Sequence, residues 1–336
     1  MFKIFISKSI YDRIIGDEKK KHTFLYKMLK WQEEQQYALQ KQQPNKHILL
    51  KLDDAATKRY EDENWQGEVL NNPSSLYVLD IPKDTALAIQ KRYGVVCVSG
   101  ENPDVSPLLD VDDYFKPIPG EKKYNGWDKV LDNVEILPSN ALLIADRYIF
   151  SSRSPEFGEG LGNIKRILNE LLPREFHGDR YHVTIVFNRE ATHKSFTFKK
   201  IVDKLEGIKD ELKIGRNYDI MMEVLCIKEE CDIYDDLHSR CIVSNYYFVE
   251  ATHKLAAFDN HLEGTVKQKI IPWALFTKSG LSGPSSVPVE SIDELLADFQ
   301  SFQETYCNQS ASVPYFYAVD GKIMERCLGL RNRLFK

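Results

Sequence analysis

The sequence predicts an α/β fold made of two consecutive α/β domains. Apolar segments of strand length alternate with segments of helix length along most of the 336 residues. A chain of this length exceeds the size at which one hydrophobic core usually stops growing, so two domains are expected. The composition, 43% hydrophobic and 28% charged, provides ample apolar material for packed cores and is typical of a globular protein.

The first two strands are predicted from the segments FKIFIS and HILLKL. Between them, from about residue 17 to 42, a stretch rich in Lys, Gln and Glu predicts a helix. Its first turns carry apolar residues on one face, and the remainder is expected to be solvated. The residues of that apolar face are Phe24, Leu25, Met28 and Leu29.

A compact βαβ unit follows in SSLYVLDIPKDTALAIQKRYGVVCVSG. Strands are predicted at Leu76–Leu79 and Val95–Val98. The helix between them has Pro82 at its start and Gly94 just past its end, which is the usual asymmetry of these two residues. The next segment, up to NGW, holds four prolines and little periodicity. We therefore divide the chain into domains 1–135 and 136–336.

The second domain begins with the apolar segment ALLIADRYIF, followed by a helical repeat and the strand YHVTIVFN. These three segments predict a second βαβ unit, parallel and right-handed. A helix at 198–213 precedes the strand YDIMMEVLCI. SRCIVSNYYFVEAT and KIIPWALFT supply further strands, and a helix at 292–306 lies near the end. The prediction for this domain is a mixed, mainly parallel sheet.

Charge, hydropathy and cysteine content exclude several classes of protein. A net charge of −5 argues against a broad basic surface for duplex nucleic acid, although a local basic patch is compatible with it. No apolar run approaches the roughly 18 residues that span a bilayer, and the N-terminal segment lacks a signal-peptide cleavage site. Six cysteines without a C-x-x-C spacing predict neither a disulfide framework nor a zinc site. We expect a cytoplasmic protein without a metal or cofactor.

The segment LHSRCIVSN places His238, Arg240 and Asn245 at the spacing H-x-R-x-x-x-x-N within a predicted strand. Residues i and i+2 of a strand face the same side, so His238 and Arg240 are expected to project together. Phosphodiester cleavage requires an imidazole, a cation for the phosphoryl oxygens and a polar group that orients the imidazole. Asn245 would need a bulge or a turn to join the other two.

The longer segment LHSRCIVSNYYFVEATHKLAAFDN resembles the H-x-K-x-x-x-x-D region of the phospholipase D superfamily. The resemblance is to its divergent bacterial branch and to the related C-terminal domain of some eukaryotic MIT proteins. LLIADRYIF, with the helix and the strand HVTIVFN after it, is similar to the D-P-Y strand, helix and strand of that branch. The resemblance covers about residues 137–260. It implies a phospholipase D-like second domain.

The resemblance also implies a function. It implies a phosphodiesterase or nuclease that acts on nucleic acid or another phosphodiester, and a role in bacterial phage defence. Carried over by position, His238 is the nucleophile or general acid, Arg240 holds the phosphate and Asn245 orients the imidazole. Asp146 lies near the end of the domain's first strand, where ligands of open α/β sheets collect. We find one copy of the motif, so the second histidine would come from another chain in a homodimer.

Three positions depart from the family pattern. Arg240 replaces Lys, which keeps the charge and adds a bidentate fork suited to phosphate. Asn245 replaces Asp, and a neutral amide does not stabilise an imidazolium; a comparable replacement in a hydrolase lowered the rate by about 10⁴. Ser239 stands where this branch has an acidic residue after the histidine.

Other interpretations of the motif compete with catalysis. His238 and Arg240, near the acidic segment DIYDD, can form an ion-paired structural site, or the site can bind phosphate without cleaving it. A different hypothesis is a catalytically inactive adaptor that binds a protein partner through the polar N-terminal helix.

Two further patterns are given structural interpretations. The spacing of Gly158, Gly160 and Gly162 favours a loop and helix start over a phosphate-binding loop. The segment HGDRYH, with His177 and His182, favours a surface turn over a metal site.

Overall fold

The protein is described by a computed structural model. The residues that it describes are 2–61, 67–106, 108, 123–124, 127, 137–151, 159–231, 233, 240–251, 255–258, 264–265, 270–274, 286–307 and 313–335. His238 and Gly158 lie outside these residues.

The first sheet contains four parallel strands in the order β2-β1-β3-β4. The strands are β1 (Lys3–Ser7), β2 (Leu49–Leu52), β3 (Ser75–Leu79) and β4 (Val96–Ser99). Its helices are α1 (Lys8–Gly16), α2 (Phe24–Gln40), α3 (Asp54–Lys58), α4 (Gly67–Leu70) and α5 (Lys83–Tyr93). β3 is buried at every position, as expected for a strand covered on both faces.

The N-terminal helical region differs from its prediction. The prediction of one helix that starts at about residue 17 is wrong. The structure has two helices in this region: α1, which begins directly after β1, and α2, which begins at Phe24. No glycine or proline separates β1 from α1, so the sequence shows no boundary there. The Thr23 hydroxyl accepts a hydrogen bond from the Tyr26 amide and caps α2.

The predicted βαβ unit is confirmed. α5 begins directly after Pro82 and ends at Gly94, which adopts a left-handed conformation with φ 61°. β3 and β4 pair in parallel on either side of it in the chain. The approach of the chain at Gly94 is close, since a Cβ there would overlap the carbonyl group of Ser139.

The second sheet is mixed, with eight strands in the order β12-β10-β9-β6-β7-β8-β13-β14. The strands are β6 (Ala141–Ala145), β7 (Arg180–Asn188), β8 (Asp219–Ile227), β9 (Cys241–Ser244), β10 (Tyr247–Ala251), β12 (Ile270–Ala274), β13 (Tyr315–Val319) and β14 (Lys322–Met324). β6, β7 and β8 are parallel and central, and the flanking strands are antiparallel. The predicted α/β class with a mixed sheet is confirmed.

Helices α6 (Glu159–Leu171) and α7 (Phe198–Lys213) connect the three parallel strands and pack against each other. The apolar periodicity predicted for α6 is confirmed, because its repeating residues are buried. They are Ile164, Ile167, Leu168 and Leu171. Helix α8 (Ser286–Phe302) continues as one π-helical turn, Gln303–Cys307. None of the helices in the described part of the chain is long and apolar enough to cross a membrane.

The two sheets share one hydrophobic core. Ile4 and Ile6 of β1 belong to the same apolar cluster as Leu142 and Ile144 of β6. The strands of the two sheets lie on either side of the predicted boundary at 135. A two-residue pair, β5 (Lys123–Tyr124) with β11 (Gly264–Thr265), forms between the two parts of the sequence. The division into 1–135 and 136–336 therefore stays a prediction.

Candidate functional site

The two described residues of the predicted motif flank strand β9. Arg240 directly precedes it and Asn245 directly follows it. Five residues of extended chain span about 16 Å, so these two side chains lie at opposite ends of the strand. The structure does not bring them together at one site.

Arg240 lies beside Asp146 at one edge of the sheet. β6 and β9 are antiparallel, and the last pair of their ladder is Ala145 with Cys241. The next position on each strand is therefore Asp146 and Arg240, on strands about 5 Å apart. This edge is also where the carboxyl ends of the parallel strands β6, β7 and β8 meet. Ligands of open α/β sheets bind at such an edge.

A tyrosine with two guanidinium groups lies at this edge. The guanidinium carbon of Arg240 is 5.2 Å from the ring centroid of Tyr148, and that of Arg147 is 5.6 Å from it. Both distances are typical of cation–π contacts. All three side chains are partly exposed. We call Arg147, Tyr148 and Arg240 the arginine–tyrosine cluster; it offers two cations in a form suited to phosphate oxygens.

Asp146 fixes the backbone that carries this cluster. Its side chain is buried, and its two oxygens accept hydrogen bonds from the backbone amides of Tyr148, at 2.8 Å, and Leu255, at 2.6 Å. The carboxylate therefore fixes the loop after β6 against the segment 255–258. Burial raises the pKa of the neighbouring Cys241 thiol, and the Asp146 charge raises it further. Because its oxygens bind backbone groups, Asp146 acts here as a positioning residue.

A histidine that was not among the sequence candidates lies at this edge. His193 belongs to the loop after β7, and its backbone amide donates to the carbonyl oxygen of Phe150, at 2.9 Å. Its Nδ1 is 2.8 Å from the Ser195 hydroxyl. Parallel strands end at the same edge, so a histidine five residues after the end of β7 could have been selected by its position alone.

Asn245 lies in a joint between the two sheets. Its side chain is completely buried, and Nδ2 donates to the carbonyl oxygens of Pro73, at 2.7 Å, and Gly94, at 3.2 Å. Its Oδ1 accepts from the backbone amide of Asn140, at 3.4 Å. The amide thus connects the start of β6 with the segments before β3 and after α5. These contacts give Asn245 a structural role, and no imidazole is among its described partners.

Tyr246 completes this joint. Asn245 and Tyr246 form the two-residue turn between β9 and β10, and both are buried. The Tyr246 hydroxyl donates to the carbonyl oxygen of Ser75 and accepts from the amide of Val96, each at 2.7 Å. Burial raises the pKa of this phenol. A hairpin turn is normally exposed, and here it is buried against the first residues of β3 and β4 of the other sheet.

The other sequence candidates have structural explanations. Gly160 lies inside α6, and a Cβ there would overlap the carbonyl oxygen of Ile149, so glycine permits close packing under the site. His177 and Asp179 are exposed, whereas His182 lies within β7 and is half-buried, so the predicted surface turn ends before it. No group of three metal-binding side chains occurs among the residues that the structure describes.

Comparison with known proteins adds no family. No protein-family model matches the chain, and no curated protein is significantly similar to it in sequence. The phospholipase D-like resemblance therefore stays a prediction from the motif.

Proposed function

We propose that the chain binds a phosphodiester, nucleic acid in particular, at the carboxyl edge of β6, β7 and β8. The observation that supports this proposal is the arginine–tyrosine cluster, where two guanidinium groups flank one ring. Guanidinium groups match phosphate oxygens, and an aromatic ring beside them can stack on a base. The cluster is local, which is compatible with a net charge of −5.

The same proposal includes a second step, cleavage of the bound phosphodiester. In a phospholipase D-like reaction, His238 would attack the phosphorus and form a phosphohistidine, while a second imidazole protonates the leaving oxygen. His193 is a candidate for that imidazole in the same chain, so a homodimer is not required for a pair of histidines. The structural role of Asn245 and the backbone contacts of Asp146 favour a degenerate enzyme, slow or inactive. The role in bacterial phage defence rests on the resemblance alone.

An adaptor is the second candidate. The exposed face of α2 supports it, because Tyr37 is 66% exposed and the Lys41 ammonium lies 4.5 Å from its ring centroid. Exposed tyrosines are frequent anchors in protein interfaces. In this hypothesis the second domain is a scaffold, and the Tyr37→Ala variant would lose a protein partner while the Arg240→Ala variant would keep it.

Nucleic-acid binding is tested by fluorescence anisotropy with a labelled single-stranded oligonucleotide at low salt. We expect salt-sensitive binding, and a loss of affinity of about tenfold or more in Arg240→Ala and in Arg147→Ala, with a smaller salt slope in each. The control is Arg180→Ala, which removes an arginine at the opposite edge, ion-paired with Asp320 at 3.1 Å. Equal losses in the Arg240 and Arg180 variants would contradict the proposal.

Cleavage is tested on the same oligonucleotide by gel electrophoresis. We expect any cleavage to disappear in His238→Ala and in His193→Ala, while the affinity of both variants stays near that of the unaltered chain. Binding without cleavage identifies a binder. A chain that neither cleaves nor retains the oligonucleotide contradicts both nucleic-acid hypotheses and leaves the adaptor.

A further inference from the structure

A cleft of about 430 Å³ lies at the junction of the two sheets. Its size falls within the range of small-molecule sites. One wall comes from the start of β1 and the residues before β3, and the other comes from α8. The end of β9 and the last turn, Arg333–Phe335, close its base. The cleft is therefore at the Asn245 end of β9, away from the arginine–tyrosine cluster.

The floor of the cleft is apolar and continuous with the main core. Phe2, Val243 and Leu334 are buried and belong to the shared hydrophobic cluster. Phe335 packs against Phe299 of α8, with ring centroids 4.8 Å apart. These side chains pack against other core residues. The floor is therefore a rigid surface that a flat or linear apolar group can contact.

One wall of the cleft is cationic. Lys3 and Lys46 both line it, and the Lys3 ammonium donates to the side-chain oxygen of Asn72, at 2.5 Å. Burial lowers the pKa of Lys3, the charge of Glu68 raises it, and the smaller effect of the Lys46 charge lowers it. Within the described residues, neither ammonium has a carboxylate at salt-bridge distance. An anion between the two lysines would relieve their repulsion.

The opposite wall limits the charge of the occupant. Asp293 of α8 lines that wall, together with the amide of Gln300. A carboxylate on this wall disfavours a second negative group on the ligand, whereas the amide can donate to or accept from a polar substituent.

We propose that this cleft binds a small organic monoanion with an apolar body, whose carboxylate lies between Lys3 and Lys46. The apolar body contacts Phe2, Val243 and Leu334 at the floor. A ligand bound here contacts both sheets, so it stabilises their joint by binding only to the folded chain. This site is independent of the phosphodiester site at the other end of β9.

The proposal is tested with two probes of the same shape, naphthalene-2-carboxylate and its neutral amide, by isothermal titration calorimetry. We expect the carboxylate to bind at least about tenfold more tightly than the amide, because only the carboxylate neutralises the lysines. Lys3→Gln and Lys46→Gln should each weaken the carboxylate several-fold and leave the amide unchanged. Lys199→Gln, an exposed lysine of α7, is the matched control.

The position of the probe is tested with a variant that fills the cleft. Ala297 is exposed on α8 and lines the cleft, so Ala297→Trp occupies the space without altering the core and should abolish binding of both probes. Glu294→Trp, on the same helix outside the cleft, should bind as the unaltered chain does. Equal affinity for the two probes, no binding at millimolar concentration, or full binding to Ala297→Trp would overturn the proposal.

Discussion

The two ends of β9 lie in different environments, although only four residues separate Arg240 from Asn245. At the Arg240 end, partly exposed cations and a tyrosine stand at the carboxyl edge of parallel strands. At the Asn245 end, the side chains of Asn245 and Tyr246 are buried, and they form hydrogen bonds to the backbone around β3 and β4. The first end has the features of a binding site, and the second has those of a structural joint.

This difference shows that a short motif can be divided between binding and stability. The spacing H-x-R-x-x-x-x-N treats three residues as one constellation. In the structure, Arg240 belongs with Asp146 and Tyr148, whereas Asn245 belongs with Pro73 and Gly94. Substitution of Arg240 should therefore lower the affinity for nucleic acid, whereas substitution of Asn245 should lower the free energy of unfolding.

The largest expected effect is that of Asn245→Asp, which restores the residue of the family motif. A buried carboxylate would face the carbonyl oxygens of Pro73 and Gly94 and would have no amide hydrogens for them. We expect a loss of about 3–5 kcal/mol in the free energy of unfolding, measured by urea denaturation, and no gain in phosphodiesterase activity. Asn45→Asp, on an exposed turn, should change stability by less than about 0.5 kcal/mol. An active, equally stable Asn245→Asp chain would make the joint part of a catalytic site.

The next effect concerns the backbone of the joint. Gly94→Ala combines a left-handed conformation with an overlap at Ser139, and should destabilise the chain by about 3 kcal/mol. Gly215→Ala has a similar conformation, with φ 81°, but open space around it. It should lose only about 1 kcal/mol. Thermal and urea unfolding of the two variants separate the effect of close packing, present only at Gly94, from that of backbone strain, present at both glycines. Equal losses of unfolding free energy would show that the chain is loosely packed around Gly94.

Tyr246→Phe tests the second residue of the turn. Removal of the hydroxyl leaves the Ser75 carbonyl and the Val96 amide buried without this partner. We expect a loss of about 2 kcal/mol in the free energy of unfolding. Tyr37→Phe, on the exposed face of α2, should cost almost nothing. If the two variants are equally stable, Tyr246 does not hold the sheets together.

The smallest effect on stability is expected at the other end. Arg240→Ala removes a partly exposed cation–π contact with Tyr148, so the free energy of unfolding should fall by about 1 kcal/mol or less. The same variant should lose nucleic-acid affinity. A large loss of stability in Arg240→Ala would show that this arginine is structural, as the ion-paired interpretation of the motif holds.

Much of the fold could be predicted from periodicity and from Pro and Gly. The limits of α5 followed from Pro82 and Gly94, and the burial of α6 followed from its apolar repeat. The boundary between β1 and α1 carried no such residue. The segment SRCIVSNYYFVEAT suggested one strand because its turn, Asn245–Tyr246, lacks glycine and is buried like the strands beside it.

The site could be predicted only in part. The position of Asp146 at a strand end was expected from the order of parallel strands, but its two backbone partners were not, because one of them is 109 residues away. The contacts of Asn245 join residues 172 and 151 positions apart. Contacts at such separations depend on how the two sheets pack, and that packing cannot be predicted from local patterns in one sequence.

Hydrogen exchange of the folded chain, with and without the oligonucleotide, compares the two ends of β9 most directly. We expect slower exchange on binding in peptides that cover 146–151 and 189–196, at the edge with the arginine–tyrosine cluster. Peptides that cover 72–75 and 243–247 should exchange at the same rate in both states. Protection confined to the joint, with no change at the edge of β6 and β7, would show that the oligonucleotide binds elsewhere than at the arginine–tyrosine cluster.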